Sequence, residues 1–461
     1  MLLNTAANYW SSSEYSATNA RNVNSNNGNI NNNNKNNNNY VRAFASVPLA
    51  RLRFFDFYFI DTSFFNFLRF VVEYVSYNEL FYAYIDCRKR KRGTANENSF
   101  EICEAEKLYK LYIELNNFLY EVGRSICFIV DKPVPREIFA ADFRDRIVHH
   151  LFINRILPYI EEEMIDDSYS CRKGKGTQYA VQKCAEYVKE CSENYTKDCF
   201  ILKCDLKQFF VTINKNILAD LLSNFLINKC AYKGEELRFM VWLMELIVFN
   251  DPTIKCIIRG SIKDWDKFPK EKSLFNTLKH KGIPIGNLTS QIFANFYLCI
   301  FDHFIKEVLG FKYYGRYVDD FFIISDSKEK LLSAIDKIKE HLLSVEAILH
   351  PKKIYIQHYT RGIKFVGHVI KPGRIYIGNR IKGNFYEMLF SGYSIFINNI
   401  PTAQELQTYI SCVNSYLGFM KHYNTYYLRK KMLKCEYILP FYHYGVVNCE
   451  YNKLKVYGKI V

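Results

Sequence analysis

Three carboxylates in two places set out the chemistry this chain could do. Asp205 closes the apolar run CFILKCD, and Asp319 and Asp320 stand together in RYVDDFF, more than a hundred residues further on. Alone, a YVDD match is ordinary turn chemistry, because Asp is common in tight turns. Here the pair lies between two runs of strand formers, FKYYGRYV and FFIIS, where a soluble hairpin would favour Asn-Gly. Strands lying side by side bring Asp205 and Asp319 together, and two carboxylates ~4 Å apart repel by about 4 kcal/mol at an effective dielectric near 20. Divalent cations offset that repulsion, and an all-oxygen ligand set favours Mg²⁺, with Mn²⁺ as a substitute, over zinc. Two such ions activate an attacking hydroxyl and stabilise a leaving pyrophosphate, so the expected reaction is nucleotidyl transfer by in-line displacement.

The elements that must hold these residues are legible around them. CFILKCDLKQFF (199–210) reads as a buried strand ending at Asp205, and 311–318 with 321–325 as a hairpin turning on Asp319 and Asp320. Between the two lies GIPIGNLTSQIFANFYL (282–298), where Gly286 lets backbone approach a bound nucleotide closely and a long helix (289–310) follows, capped by Thr289 or Ser290. Further helices are expected over 105–123, 142–157 and 326–349, a strand pair over 364–378, and mostly helix from about 380 onward. Strand, helices, hairpin, helix and strand pair make an α+β layout with helices backing an antiparallel sheet.

Composition points to a polyanionic partner. The chain carries 62 basic against 47 acidic residues, a formal charge of +15, in patches such as CRKRKRG (87–93), CRKGKG (171–176) and LRKKMLK (428–434) interleaved with Tyr and Phe. Nucleic acid is the simplest partner for that pattern, with binding that weakens steeply in salt. The fourteen Cys show no C-x-x-C pair and no zinc spacing, so free thiols in a reducing cytoplasm are expected. The aromatic stretch 54–75 is interrupted by Asp56, Asp61, Arg69 and Glu73, which leaves no run long enough to span a membrane.

Three ordered blocks, CDLKQFF, GIPIGNLTSQ and RYVDD, resemble the palm of a reverse transcriptase. SYSCRKGKGT (168–177) is similar to that family's fingers, HPKKIYI (350–356) to the block after the catalytic hairpin, IKFVGHVI (363–370) to the strand that holds the primer, and YLGFMKHYNTYYLRKKM (416–432) to the thumb. The resemblance implies a right-hand polymerase: fingers with part of the palm over 76–195, a catalytic palm over 196–378 and a helical thumb over 379–461. It implies Asp205, Asp319 and Asp320 as the catalytic triad, with Asp205 and Asp319 bridging two metal ions, Asp320 assisting and the Leu206 carbonyl as a further ligand. Phe210 matches the aromatic that rejects a ribose 2′-OH, with Phe209 as its rival. Arg136, Arg172 and Lys173 match positions that grip the triphosphate, and a solvated basic face is the plain alternative. Lys353, with Lys352 close behind, is the candidate acid for the departing pyrophosphate.

The block IGNLTSQ departs from the usual pattern, with Ile285 before Gly286 and Gln291 after Ser290. It is similar to reverse transcriptases of diversity-generating retroelements, which miscopy template adenines; an apolar Ile beside the nascent pair would loosen geometric checking there. The implied partners are a template-repeat RNA, its cDNA and primer, dNTPs, and a small basic helical accessory variability protein, in the cytoplasm of a bacterium or a phage host. The Asn-rich residues 1–46, expected to be disordered, resemble the variable end of a C-type-lectin-like protein and read as the template repeat translated in frame. Residues 47–75 are an aromatic linker. With no Met between Met1 and Met164, a start near residue 70 at a non-ATG codon is expected. The rivals are a retron, group II intron or phage-defence reverse transcriptase and, in a different class, a catalytically silent nucleic-acid scaffold.

Overall fold

The computed structural model describes residues 73–89, 93–131, 134–398 and 400–457, together with the backbone of three short strands, Asn8–Glu14, Asn19–Asn24 and Ile30–Asn34. Those strands pair antiparallel in chain order, within a stretch whose sequence suggests a structureless tail. A ladder needs only backbone N–H and C=O groups, which Asn supplies like any other residue. The rest of 1–46 and the aromatic stretch through residue 72 lie outside the described residues.

The chain divides into two compact units, Met1–Glu121 with Phe143–Leu151, and Val122–Asp142 with Phe152–Val461. In the first, helices α1 (Tyr77–Arg88), α2 (Ala95–Glu101) and α3 (Glu104–Asn116) bury Leu80, Tyr84, Phe100, Leu108 and Leu111. Helix α3 stops at Asn116 rather than running to Gly123, because the Asn116 amide turns back to accept from the Tyr74 and Val75 N–H groups. Helix α4 (Phe143–Glu163) begins in this unit and places His149 in the interior, with no hydrogen-bond partner for Nδ1. Burial, with His150 and Arg146 adding to it, pushes the His149 pKa down to about 3. A depressed His stabilises the fold above its unfolded pKa of ~6.5, and that stability is lost as pH falls toward the folded value. Thermal melts should therefore show an acid loss worth ~2 kcal/mol at pH 5, absent from His149→Phe; an unchanged pH profile in that variant would refute the assignment.

The second unit holds the other sheets. Strands β1 (Ile126–Val130) and β2 (Arg136–Ala140) form a hairpin. After α5 (Thr177–Cys191) comes β3 (Phe200–Asp205), then α6 (Lys215–Asn228), α7 (Gly234–Val248) and α8 (Leu288–Tyr297). Strands β4 (Tyr313–Tyr317) and β5 (Asp320–Ser325), helix α9 (Lys328–Leu343) and strand β6 (Tyr355–His358) complete the central sheet. Its order is β6-β3-β5-β4, antiparallel throughout.

Period-two alternation puts Ile201, Lys203 and Asp205 on one face with Asp320, Phe322 and Ile324. There Ile201, Phe322 and Ile324 pack on Ala180, Val181, Cys184 and Val188 of α5, leaving the Asp end of the same face uncovered by that helix. On the opposite face Phe321 meets Phe301 edge-on at 5.2 Å between centroids. Gly315 is required on β4, since a Cβ would fall 2.6 Å from Phe322 and 2.7 Å from the Tyr169 ring.

Three elements differ from their sequence readings. The apolar run 363–378 folds as three strands, Ile363–Phe365, His368–Lys371 and Arg374–Ile377, because the Val366-Gly367 and Pro372-Gly373 turns each reverse it. The helix expected over 289–310 breaks after Tyr297 into Cys299–His303 and a π turn, Phe304–Val308. Past helices α10 (Asn379–Asn398), α11 (Ala403–Met420) and α12 (Tyr426–Met432) the chain ends in a 3₁₀ turn containing Pro440 and a hairpin, Gly445–Val447 with Leu454–Val456. Asn448 builds that hairpin's turn by accepting from the Asn452 and Lys453 N–H groups. Among the described residues no helix is long and apolar enough to cross a membrane, and the Cys are free thiols.

Candidate active site

Asp205 and Asp320 are direct cross-strand partners at the end of β3 and β5. Asp319 sits in the turn before β5, and its carbonyl accepts from the Leu206 N–H at 3.0 Å. The loop after α9 closes the site from the other side: the Lys207 N–H reaches the Ile348 carbonyl at 2.8 Å and the His350 N–H the Asp205 carbonyl at 2.8 Å. That loop delivers Lys353, whose Nζ lies 3.0 Å from both carboxylate oxygens of Asp205. Asp205, Leu206, Asp319, Asp320 and Lys353 are therefore gathered at one point.

Charge at that point is unbalanced. Burial, and then the neighbouring Asp205, raise the Asp319 carboxyl above the usual range, the behaviour of an acid beside a like charge. Asp320 lies at the site but is engaged within the fold. Its carboxylate forms an ion pair with Lys203, a buried side chain held between Ile201 and Asp205 by strand alternation. Burial pulls the Lys203 ammonium down to about 8, against the opposing pull of Asp205, and it also donates to the Cys204 carbonyl at 3.0 Å.

The donor set of Asp205 and Asp319 fits hard divalent cations, all-oxygen and short of positive charge. With Asp320 held by Lys203, however, no group of three acidic, His or Cys side chains is gathered tightly enough among the described residues to chelate an ion by itself. A cleft of about 570 Å³ opens over Asp205 and Asp320, and Lys203, Lys353, Lys364 and Arg380 line it. That basic wall beside paired carboxylates suits a polyanionic chain more than a small neutral ligand.

The surrounding candidates fall into two groups. Phe209 is core, 6.3 Å between centroids from Tyr297, whereas Phe210 is half-buried; of the pair, only Phe210 is available to a ligand. Arg136 and Lys173 are exposed, and Arg136 acts on Tyr317 at the hairpin base, though burial and Cys171 dominate in raising that phenol. Arg172 is engaged within the protein. Its Nε donates to Glu161 at 2.8 Å and its Nη1 to the carbonyls of Ile165 and Ser168, so the guanidinium ties down its own loop.

Gly286 has φ +130°, and a Cβ there would lie 2.9 Å from Ile138 and 3.2 Å from the Phe139 carbonyl; the close approach it permits is to β2. The Ile285 carbonyl accepts from the Phe139 N–H at 2.9 Å, and Gln291 accepts from the Cys171 thiol at 3.3 Å. Asn287, rather than Thr289 or Ser290, occupies the N-cap position of α8, but its side chain makes no bond to the helix and instead accepts from the Ala141 N–H at 3.0 Å. Sequence reasoning missed Lys203 and Asn287. Lys203 was findable, since a residue two before Asp205 on a strand shares its face.

No curated protein matches the chain by sequence. Among solved structures, apo telomerase from Candida tropicalis truncated from its C-terminal domain is similar at 14% identity and a TM-score of 0.40, over 55% of each chain. Telomerase from Candida albicans in complex with a TWJ fragment of telomeric RNA is similar at 13% and 0.36, over 67% of this chain and 57% of that one. The chain thus spans little more than half the length of these telomerases. The family model described as reverse transcriptase (RNA-dependent DNA polymerase) matches residues 135–370, just over half of the chain, a span that takes in Asp205, Asp319, Asp320 and Lys353, and the chain belongs to that family.

Proposed function

We propose that the chain is an RNA-directed DNA polymerase that copies a template-repeat RNA of a diversity-generating retroelement into adenine-mutagenised cDNA. The observation that carries the polymerase reading is the clustering of Asp205, Asp320 and the turn residue Asp319 at the sheet end, with a basic cleft over Asp205 and Asp320 and an Asp319 carboxyl raised by burial and by Asp205. The retroelement reading rests on the IGNLTSQ block, with Ile285 before Gly286 and Gln291 at its end, and on the Asn-rich residues 1–46.

Asp205 and Asp319, with the Leu206 carbonyl, are the groups that would hold divalent cations, Mg²⁺ or Mn²⁺. When bound, these ions lower the barrier to attack by a primer hydroxyl and neutralise the charge of the leaving pyrophosphate. Asp320 assists by fixing Lys203, which keeps a positive charge beneath the acidic cluster. Arg136 and Lys173 approach the triphosphate from the fingers, and Lys364 and Arg380 hold the primer backbone in the cleft. A small basic accessory variability protein is the further partner.

Phe210 excludes a ribose 2′-OH by bulk. Phe210→Ala should raise incorporation of ribonucleotides relative to deoxyribonucleotides by roughly 10²-fold, read by single-nucleotide primer extension; an unchanged ratio would move the gate to another residue.

The deciding experiment is cDNA synthesis on the element's own template RNA with Mg²⁺ and the accessory protein, followed by sequencing. Cation-dependent cDNA with errors concentrated at template adenines is expected. Accurate cDNA would place the chain among retron, group II intron or defence polymerases, and tight RNA binding without cDNA would make it a scaffold.

A further inference from the structure

The largest fully buried side chain among the described residues is not a hydrophobe but Arg316, on β4 two residues before Val318 in the YVDD turn. Asp302, also fully buried, meets it in bidentate fashion: Nε donates to Oδ1 at 2.7 Å and Nη2 to Oδ2 at 2.5 Å. Tyr314 donates its hydroxyl to the same Asp302 Oδ1 at 2.6 Å. Nη2 also reaches Ser168 Oγ at 3.2 Å and the Asn295 carbonyl at 3.3 Å. A buried pair of this kind could serve the fold alone, and replacing such pairs by apolar residues is often harmless to stability. What sets this one apart is where the remaining nitrogen goes. Nη1 donates to the Val318 carbonyl at 2.9 Å, with the Asn295 side chain at 3.3 Å.

Val318 has φ +58°. A left-handed backbone is a genuine outlier for a β-branched residue, and such strain persists only where the surroundings over-determine it. The Val318 carbonyl belongs to the peptide that leads into Asp319, so rotation of that peptide would both relax Val318 and swing Asp319. The backbone is pinned from the other side too: the Arg316 N–H donates to the Asp167 carbonyl and the Arg316 carbonyl accepts from the Tyr169 N–H, each at 2.9 Å. Arg316 can therefore hold the turn without itself shifting.

We propose that Arg316 is a positioning residue of the catalytic turn: braced by Asp302, its guanidinium clamps the Val318 carbonyl and holds Val318 in the left-handed conformation that sets Asp319 beside Asp205. The inference rests on the reading of Asp319 as catalytic. It assigns Val318 a role as well, as the strained hinge that needs a clamp because it is not glycine. Lys in place of Arg316 keeps the charge for Asp302 but has no planar fork with which to reach Asp302 and the Val318 carbonyl together.

A double-mutant cycle on the full chain tests this, with primed RNA template, Mg²⁺ and single-nucleotide extension. Arg316→Lys should lower kcat by ~10²-fold, the loss expected from an ångström-scale misplacement of a reacting group, with KM for the dNTP within about twofold of the parent. Introduced into a Val318→Gly background, where the left-handed backbone no longer needs holding, the same change should lower kcat less than about fivefold. Equal losses in the two backgrounds would overturn the clamp and leave Arg316 a fold residue, as would an unaffected Arg316→Lys. Should Arg316→Lys fail to fold by thermal melting, Asp302→Asn, which loosens the brace and keeps its volume, enters the same cycle with the same expectations. Activity in the parent, abolished by Asp319→Ala, separates failure of the clamp from failure of the polymerase reading.

Discussion

Asp319→Asn is expected to lower the rate of nucleotide addition by at least about 10³-fold, equivalent to ~4 kcal/mol of transition-state stabilisation, while the cation-free protein melts no lower than the parent. The two halves of this result follow from one observation. Burial and Asp205 raise the Asp319 carboxyl, so its ionised form is disfavoured in the fold. A carboxyl with a raised folded pKa destabilises the fold above that pKa, and the effect disappears as pH falls below the unfolded value. Neutral Asn removes that penalty at neutral pH together with the charge the cations require. Melting in EDTA and single-turnover primer extension check both halves. Activity within tenfold of the parent would remove Asp319 from the chemistry, and a melting drop of several degrees would make it a structural residue. Added Mg²⁺ should raise the melting temperature of the parent and leave Asp319→Asn unmoved.

How much of this was legible in the sequence follows the range of the interactions involved. The run ILKCD and the hairpin around Asp319 were readable because alternation and turn chemistry act over a few residues, but the register was off by one: the turn falls on Val318-Asp319, Asp320 opens the second strand, and the direct partner of Asp205 is Asp320 rather than Asp319. Arg172 was misplaced because CRKGKG reads as a basic patch, whereas its partner Glu161 lies in the preceding helix and only the fold brings the two together. Gly286 was read as making room for a ligand; the neighbour it accommodates, β2, lies about 150 residues away in sequence, a contact that no local pattern encodes. Thr289 and Ser290 were natural caps by residue type, yet Asn287 begins the helix, drawn by the Ala141 N–H. Arg316 and Asp302 were invisible for the same reason: a charged residue inside an aromatic strand gives no sign that its partner lies on a helix.

Lys353 carries the second large effect, and the geometry separates two ways it could act. Its Nζ stands 3.0 Å from both oxygens of Asp205, so it compensates the charge of the acidic cluster, and it lines the cleft into which a triphosphate would enter. If Lys353 also protonates the departing pyrophosphate, its removal deletes a general acid, worth typically ~10²–10⁴-fold. Lys353→Met should therefore lower kcat by about 10²-fold or more, through loss of both charge and proton. Arg at the same position restores the ion pair with Asp205 but remains protonated at all working pH values. Lys353→Arg should thus recover the parent's cation-free melting temperature and leave most of the rate deficit, measured by rapid-quench extension with pyrophosphate release as the readout. Full recovery of rate in Lys353→Arg would show that charge alone suffices, and the proton would then have to come from Lys352 or from solvent. Because Lys353 reaches the site from the loop after α9 while Asp205 and Asp319 come from the sheet, this comparison also asks whether that loop is part of the chemistry or only a lid on the charge.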